Sequence, residues 1–205
     1  WNCSVFRCRN SDASLMAFAA GAAGQVGLIA RTQSPSGPGQ GNGSLTISSS
    51  TPYFKILDVT GPAGVMQGQE VHKVGRVSGW TYGYVTSTCA DYNTGGVLPP
   101  WYKVNCADRA NMLVDDGDSG SPVFLRVDAE LATLTGLVTG RDGTSSVISR
   151  YAGVRGDLEQ GSAWSAVPPA ARHAPPRLRL SRAPVRCRGS AAAPAASARS
   201  PGRWR

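Results

Sequence analysis

The sequence is poor in the residues that build metal centres and membrane spans. It holds only two histidines, His72 and His173, and none of its five cysteines stands in a C-x2-C pair, so we expect no metal site. Its most apolar window, residues 14–30, is interrupted by Gly and Gln well before it reaches membrane-spanning length. We therefore expect neither a metal, nor another cofactor, nor a membrane partner.

Negative charge is missing from the C-terminal part of the chain. All 13 acidic residues lie within residues 1–159, together with 12 of the 21 Lys and Arg, whereas residues 160–205 contain nine Arg and no acid. The net charge of +8 therefore belongs to the C-terminal segment. An Arg-rich segment can contact phosphates, but the simpler interpretation is a solvated extension, so no nucleic-acid partner is expected.

Residues 160–205 also have few apolar side chains. They contain 12 Ala and seven Pro but no Ile, Phe or Tyr, and such a composition cannot bury enough surface to offset the entropy of ordering. We predict a disordered tail over 160–205 that follows a folded domain over 1–159. Because Arg, Ala, Pro and Gly have GC-rich codons, an out-of-frame reading of the gene is an alternative origin of this tail.

Short β-type segments dominate residues 40–159. They alternate or are β-branched, and Gly, Pro, Asn and Asp separate them; the segments are GSLTISSS, YFKILDV, VHKVGRV, YGYVTST, SPVFLRV and ATLTGLVTG. Helical periodicity is weak except in RYAGVRGDLEQ, where Val154 and Leu158 share a face. Many short strands with closely spaced turns indicate an all-β sandwich or barrel.

Four of the five cysteines lie in the predicted folded part. Four cysteines allow three pairings, and the local pairs Cys3–Cys8 and Cys89–Cys106 are the simplest. Disulfides of this kind indicate an oxidising compartment.

The stretch DDGDSGSPVF places Ser119 in a tight, glycine-rich bend before an apolar strand. Gly117 and Gly120 permit backbone conformations closed to other residues and let amides approach a ligand. Fixed amides beside a hydroxyl can stabilise an oxyanion. An ordinary turn is the alternative interpretation, because Asp, Gly, Ser and Pro are common turn residues.

Three motifs in order carry a resemblance to a known family. CRNSDASL, then VHKVGRVSGWTYGYV, then GDSGSP resemble the chymotrypsin-like serine peptidases, in particular the secreted bacterial branch of streptogrisins and alpha-lytic protease. The resemblance covers most of residues 1–159 and none of the tail. It implies an all-β, chymotrypsin-like double β-barrel, here represented by the second barrel and a fragment of the first.

The resemblance assigns catalytic roles residue by residue. Ser119 matches the nucleophile, the amides of Gly117 and Ser119 match the oxyanion hole, and Asp12 matches the aspartate that orients the catalytic histidine. Without the resemblance, Asp12 would be interpreted as a cap before ASLMAF. A serine hydroxyl needs a neighbouring base to become a strong nucleophile.

The family's histidine has no match in this sequence. It would precede Asp12 by several tens of residues, and only 11 residues precede Asp12. His72 falls in an alternating run, where we predict a solvent-facing strand position, and His173 lies in the tail. The chain is therefore expected to be a C-terminal part of the peptidase domain and, as given, inactive.

The resemblance also suggests a substrate pocket with Leu113 at its base and Thr139 and Gly140 along one wall. An apolar base favours apolar or aromatic side chains over Lys or Arg.

A structural ion pair follows from the bend. Asp118 should point away from solvent, and a buried carboxylate needs a partner, for which the resemblance offers Arg76. The alternative is that Arg76 is only a solvated strand residue.

The resemblance implies a secreted, monomeric serine endopeptidase that acts on polypeptides. The alternative is a non-catalytic homologue that uses the same fold as a binding module.

Overall fold

The computed structural model describes residues 7–13, 21, 24–93 and 102–160. The strands are β1 (Arg7–Arg9), β2 (Leu28–Ala30), β3 (Tyr53–Val59), β4 (Glu70–Gly75), β5 (Gly79–Asn93), β6 (Tyr102–Ala110), β7 (Pro122–Arg126), β8 (Leu131–Asp142) and β9 (Ser145–Arg150), and helix α1 (Tyr151–Gln160) follows them. The prediction of an all-β fold is confirmed. Cys3 and the predicted tail beyond Gln160 lie outside the described residues.

Six strands form a closed antiparallel ring. Their order is β6, β5, β4, β7, β8 and β9, and β9 closes the ring by pairing with both β8 and β6. Outside this barrel, β3 pairs with β8 in parallel and carries β2 on its other edge, while β1 pairs with β6 in parallel. Closure leaves no free edge on the ring.

Two apolar clusters pack on opposite sides of the ring strands. The inner cluster fills the barrel with small and medium side chains: Val65, Val71, Val85, Ala110, Met112, Val114, Val123, Val138 and Ile148. The outer cluster lies beneath β2 and β3 and consists of Ile29, Phe54, Trp80, Phe124 and Ala132. Strands that lie between the two clusters are therefore buried on both faces.

Local sequence patterns give several elements correctly. The YFKILDV segment forms β3 with the predicted bounds. The predicted helical segment RYAGVRGDLEQ forms α1 from Tyr151 onward, with Val154 buried, whereas its first residue, Arg150, ends β9. The predicted strand in GSLTISSS is wrong: it makes one isolated bridge, Thr32 to Ile47, and leaves Leu45 exposed. No helix in the described ranges is long and apolar enough to cross a membrane.

The Cys89–Cys106 disulfide is present and joins β5 to β6. Both cysteines adopt left-handed backbone conformations, with φ of 52° and 56°. The amide of Cys89 donates to the Asp108 carboxylate and that of Cys106 to Asp91, so neighbouring carboxylates support these unusual conformations. The predicted Cys3–Cys8 pair lies outside the described residues because it depends on Cys3.

Candidate active site

Most backbone amides of the loop Asp115–Ser121 donate hydrogen bonds to acceptors within the protein. The amides of residues 115, 116, 118, 120 and 121 donate to oxygens of the loop or of Val138 at 2.7–3.1 Å. The amides of Gly117 and Ser119 have no hydrogen-bond acceptor among the described residues. The two amides predicted to form an oxyanion hole are thus the two that this loop leaves available.

Two glycines give the loop its shape. Gly117 has φ of 103° and Gly120 has φ of 84°, values that L side chains rarely adopt. A Cβ at position 117 would also lie 2.8 Å from Cγ2 of Val77. Ser119, which lies between them, is exposed.

The Asp118 side chain is completely buried, as predicted. Its Oδ1 accepts hydrogen bonds from the amides of Val77 (2.9 Å) and Ser78 (3.1 Å). Its Oδ2 accepts the Ser78 hydroxyl (2.5 Å) and the Asp115 amide (3.1 Å), and lies 3.0 Å from Nζ of Lys73. The carboxylate therefore anchors the loop from inside the barrel.

Burial and hydrogen bonding act on Asp118 in opposite directions. Burial alone would raise its pKa, but the hydrogen bonds from Ser78, Val77 and Asp115 and the charge of Lys73 together lower the pKa to about 2. For Lys73, burial lowers the pKa, and Asp118 opposes that effect. The Asp118 carboxylate is therefore ionised at neutral pH.

The predicted pairing of Asp118 with Arg76 is corrected to Lys73. Arg76 lies in the turn between β4 and β5 and is exposed. Lys73 lies inside β4 on the same face as Val71, which belongs to the inner cluster, and both Lys73 and Asp118 are fully buried. The prediction that Asp118 needs a cation was correct, but the cation comes from the inner face of strand β4 and not from the turn that follows it.

Asp12 is linked to the loop through the β8–β9 hairpin. Its amide donates to Oγ of Ser149 at 3.3 Å, and that hydroxyl lies 2.5 Å from Oγ1 of Thr139. The neighbour of Thr139, Val138, accepts the Gly120 amide at 2.7 Å. The chain segments that carry Asp12 and Ser119 are therefore fixed to the same stretch of β8.

His72 is buried, so the predicted solvent-facing position is wrong. Only 2% of the residue is exposed, because the outer cluster covers that face of β4. Its Nε2 lies 2.9 Å from a Glu70 oxygen, and its Nδ1 accepts the indole N–H of Trp80 at 3.2 Å. Burial lowers the pKa of His72 to about 4. Both ring nitrogens are thus engaged away from Ser119.

An apolar pocket adjoins the loop. It has a volume of about 320 Å³ and is lined by Gly39, Asn111–Val114, Arg141 and residues 143–146. Leu113 is among its lining residues, whereas Thr139 and Gly140 are not, and the Thr139 hydroxyl lies 2.5 Å from Oγ of Ser149. The role of Leu113 at the base of a substrate pocket stays a prediction. Arg141 lies 3.8 Å from Asp115 of the loop, which places the pocket beside the bend.

Sequence reasoning missed the supporting residues Lys73, Ser78, Ser149 and Asp157. The Ser78 hydroxyl accepts a hydrogen bond from Lys73 and donates one to Asp118. A lysine inside an apolar run was the available signal for Lys73, since a strand covered on both faces must pair such a charge. The two serines and Asp157 carry no comparable local signal.

No protein-family model and no curated protein matches the chain. Solved structures that resemble it include a chymotrypsin of Cellulomonas bogoriensis (16% identity, 56% of this chain and 58% of that chain, TM-score 0.40). Protease A of Thermobifida fusca gives 15% identity, 56% and 57% coverage and a TM-score of 0.42. A Nocardiopsis protease gives 16% identity over 68% of this chain and 58% of that chain, with a TM-score of 0.41.

These three structures are bacterial proteases. The chain spans less than six-tenths of the length of each. Because the TM-scores lie below 0.5, the likeness is partial.

Proposed function

We propose that the chain carries the nucleophile-bearing part of a serine endopeptidase, which cleaves peptide bonds through an acyl-enzyme on Ser119. The observation that supports this most directly is the pattern of amides in the Asp115–Ser121 loop. Gly117 and Ser119 are the loop amides without a described acceptor, and Ser119 itself is an exposed residue. Pre-fixed donors of this kind stabilise the oxyanion of acyl transfer.

The proposed chemistry proceeds in two steps. Ser119 Oγ bonds to the substrate carbonyl carbon while a base takes its proton; the C–N bond then breaks and the amine leaves with that proton. Water subsequently hydrolyses the ester and regenerates the hydroxyl. Asp12 would orient the base. His72 is engaged with Glu70 and Trp80, so we do not assign the base to it and expect the 205-residue chain to be inactive.

The pocket supports a preference for apolar side chains. Leu113 is among its lining residues, and the exposed Arg141, which also lines it, lies 3.8 Å from the carboxylate of Asp115, which offsets its charge. We propose an apolar or aromatic residue on the acyl side of the cleaved bond. The disulfide is consistent with an oxidising, extracellular location.

Labelling with a fluorophosphonate probe tests the proposal. The protein expressed from its whole gene should be labelled at Ser119, and Ser119→Ala should abolish labelling. The 205-residue chain should not be labelled; labelling that survives His72→Ala would show that another base exists. An unlabelled, folded whole-gene product would instead favour the binding-module alternative.

A further inference from the structure

The carboxylate of Asp157, on helix α1, binds the chain segment immediately before Asp12. Its Oδ2 accepts the amide of Ser11 at 2.8 Å and the Ser11 hydroxyl at 2.9 Å. Its Oδ1 accepts the side-chain amide of Asn10 at 2.9 Å. Ser11 is 2% exposed, so two of these three hydrogen bonds are sheltered from water.

The helix backbone approaches the same segment. A Cβ at Gly153 would lie 2.5 Å from the carbonyl oxygen of Asn10, so a side chain there would push the segment away. Gly153 and Asp157 are four residues apart and therefore share one face of α1. Steric fit and hydrogen bonding thus coincide on this face.

Helix stability does not explain an acid at position 157. Asp157 lies in the last turn of α1, where the helix dipole disfavours negative charge. None of the ion pairs within the described part of the chain includes it. Its three hydrogen bonds to Asn10 and Ser11 are the described interactions that its carboxylate makes.

We infer that Asp157 is a positioning residue for Asp12, an inference that rests on the proposed role of Asp12 in orienting the base. Asp157 fixes residue 11, and Ser149 accepts the amide of residue 12. The backbone around Asp12 is therefore fixed by hydrogen bonds to side chains of two elements, α1 and β9. A shift of this backbone would misalign the base without touching the substrate pocket.

Hydrogen exchange in the 205-residue chain tests the positioning directly. Because hydrogen bonds to charged groups are worth more than neutral ones, Asp157→Asn should speed exchange of the Ser11 amide by about tenfold or more. Glu159→Gln is the matched control: it removes the same charge from the same helix, where Glu159 accepts a hydrogen bond from Arg155, and should leave exchange of the Ser11 amide unchanged. Unchanged exchange in Asp157→Asn would overturn the inference.

Gly153→Ala separates positioning from helix stability. Alanine favours the helix over glycine, yet its Cβ would displace Asn10, so exchange at Ser11 should rise although α1 itself is stabilised. Slower exchange at Ser11 would contradict the inference. If Asp157→Asn fails to fold, Ser11→Ala serves as the second variant, because it removes only the hydroxyl hydrogen bond to Asp157. In this variant the exchange rate of the Asp12 amide should rise, by less than the tenfold expected at Ser11 in Asp157→Asn.

Turnover by the whole-gene product distinguishes this inference from the proposed function. Asp157→Asn should lower kcat and leave KM nearly unchanged, because the base and not the pocket is disturbed, and Glu159→Gln should change neither. Faster exchange at Ser11 with an unaltered kcat would overturn the catalytic consequence. An inactive wild-type protein would overturn the proposed function, and the exchange rates would still decide whether Asp157 positions the segment.

Discussion

His72 and Lys73 are consecutive residues of β4 that face opposite sides of the barrel wall. Lys73 points inward, 3.0 Å from Asp118, and neither side chain is exposed. His72 points outward beneath β2 and β3, 2.9 Å from Glu70, whose side chain is 46% exposed. Each is a buried basic group with one carboxylate partner.

The two pairs reach different charge states. Burial lowers the pKa of both basic groups, and both carboxylates oppose it. Glu70 lies half in water and leaves His72 with a pKa of about 4, so the ring is neutral at neutral pH. Asp118 is buried with four hydrogen-bond donors besides Lys73 and stays ionised. At neutral pH the Asp118 carboxylate inside the barrel is therefore charged, whereas the His72 ring on the outer face is neutral.

Removing the inward cation should have the largest effect. Lys73→Met leaves Asp118 buried without a counter-ion, and breaking a buried pair in this way costs about 3–5 kcal/mol. Urea denaturation of the 205-residue chain measures the loss. Asp118→Asn in the same chain should recover part of it, because the remaining polar group is then neutral.

Arg76→Ala is the control for that experiment. Arg76 is exposed, so its truncation should change the free energy of unfolding by less than about 0.5 kcal/mol. A loss comparable to that of Lys73→Met would restore Arg76 as the partner of Asp118.

Acid should affect the outward pair next. The pKa of His72 is about 4 in the folded chain and 6.5 ordinarily, so between these values the unfolded chain binds the extra proton. Stability should fall as the pH drops from 6.5 to 4, by about 3 kcal/mol from this residue. His72→Phe should flatten the curve in that window, and an equally steep curve in the variant would refute the assignment.

A single methyl group should disturb the inward pair to a smaller extent. A Cβ at Gly75 would lie 2.3 Å from Oδ1 of Asp118 and 3.0 Å from Nζ of Lys73, and overpacking of this kind costs about 1–3 kcal/mol. Thermal and urea unfolding of Gly75→Ala should show this loss. Gly61→Ala, where the added Cβ meets open space, should be neutral or slightly stabilising.

The smallest effect is expected from the exposed partner of the outward pair. Glu70→Gln should cost less than about 1 kcal/mol at neutral pH, as exposed charges generally do. Because Glu70 raises the pKa of His72, its removal should lower that pKa further, which NMR titration of the ring can follow. An upward shift would show that Glu70 does not act on His72.

Local pattern was enough for elements whose environment is local. Alternation in YFKILDV gave β3, and glycine chemistry gave the bend around Ser119. The local pattern failed for His72, because that face of β4 is buried only when β2 and β3 cover the barrel. No pattern within β4 reveals this covering. The prediction of Arg76 instead of Lys73 as the partner of Asp118 failed for the same reason. Which cation lies next to Asp118 depends on the pairing of β4 with β7, strands that are separated by some fifty residues.

The attachment of Asn10 and Ser11 to Asp157 has a consequence for synthesis. These partners are 147 and 146 residues apart, and the carboxylate belongs to the last described element of the chain. At about 5–20 residues per second, a ribosome needs roughly 7–30 s to make the second partner after the first. Throughout that interval the segment carrying Asp12 has no helix to bind, so a nascent chain cannot complete the candidate site until α1 has emerged.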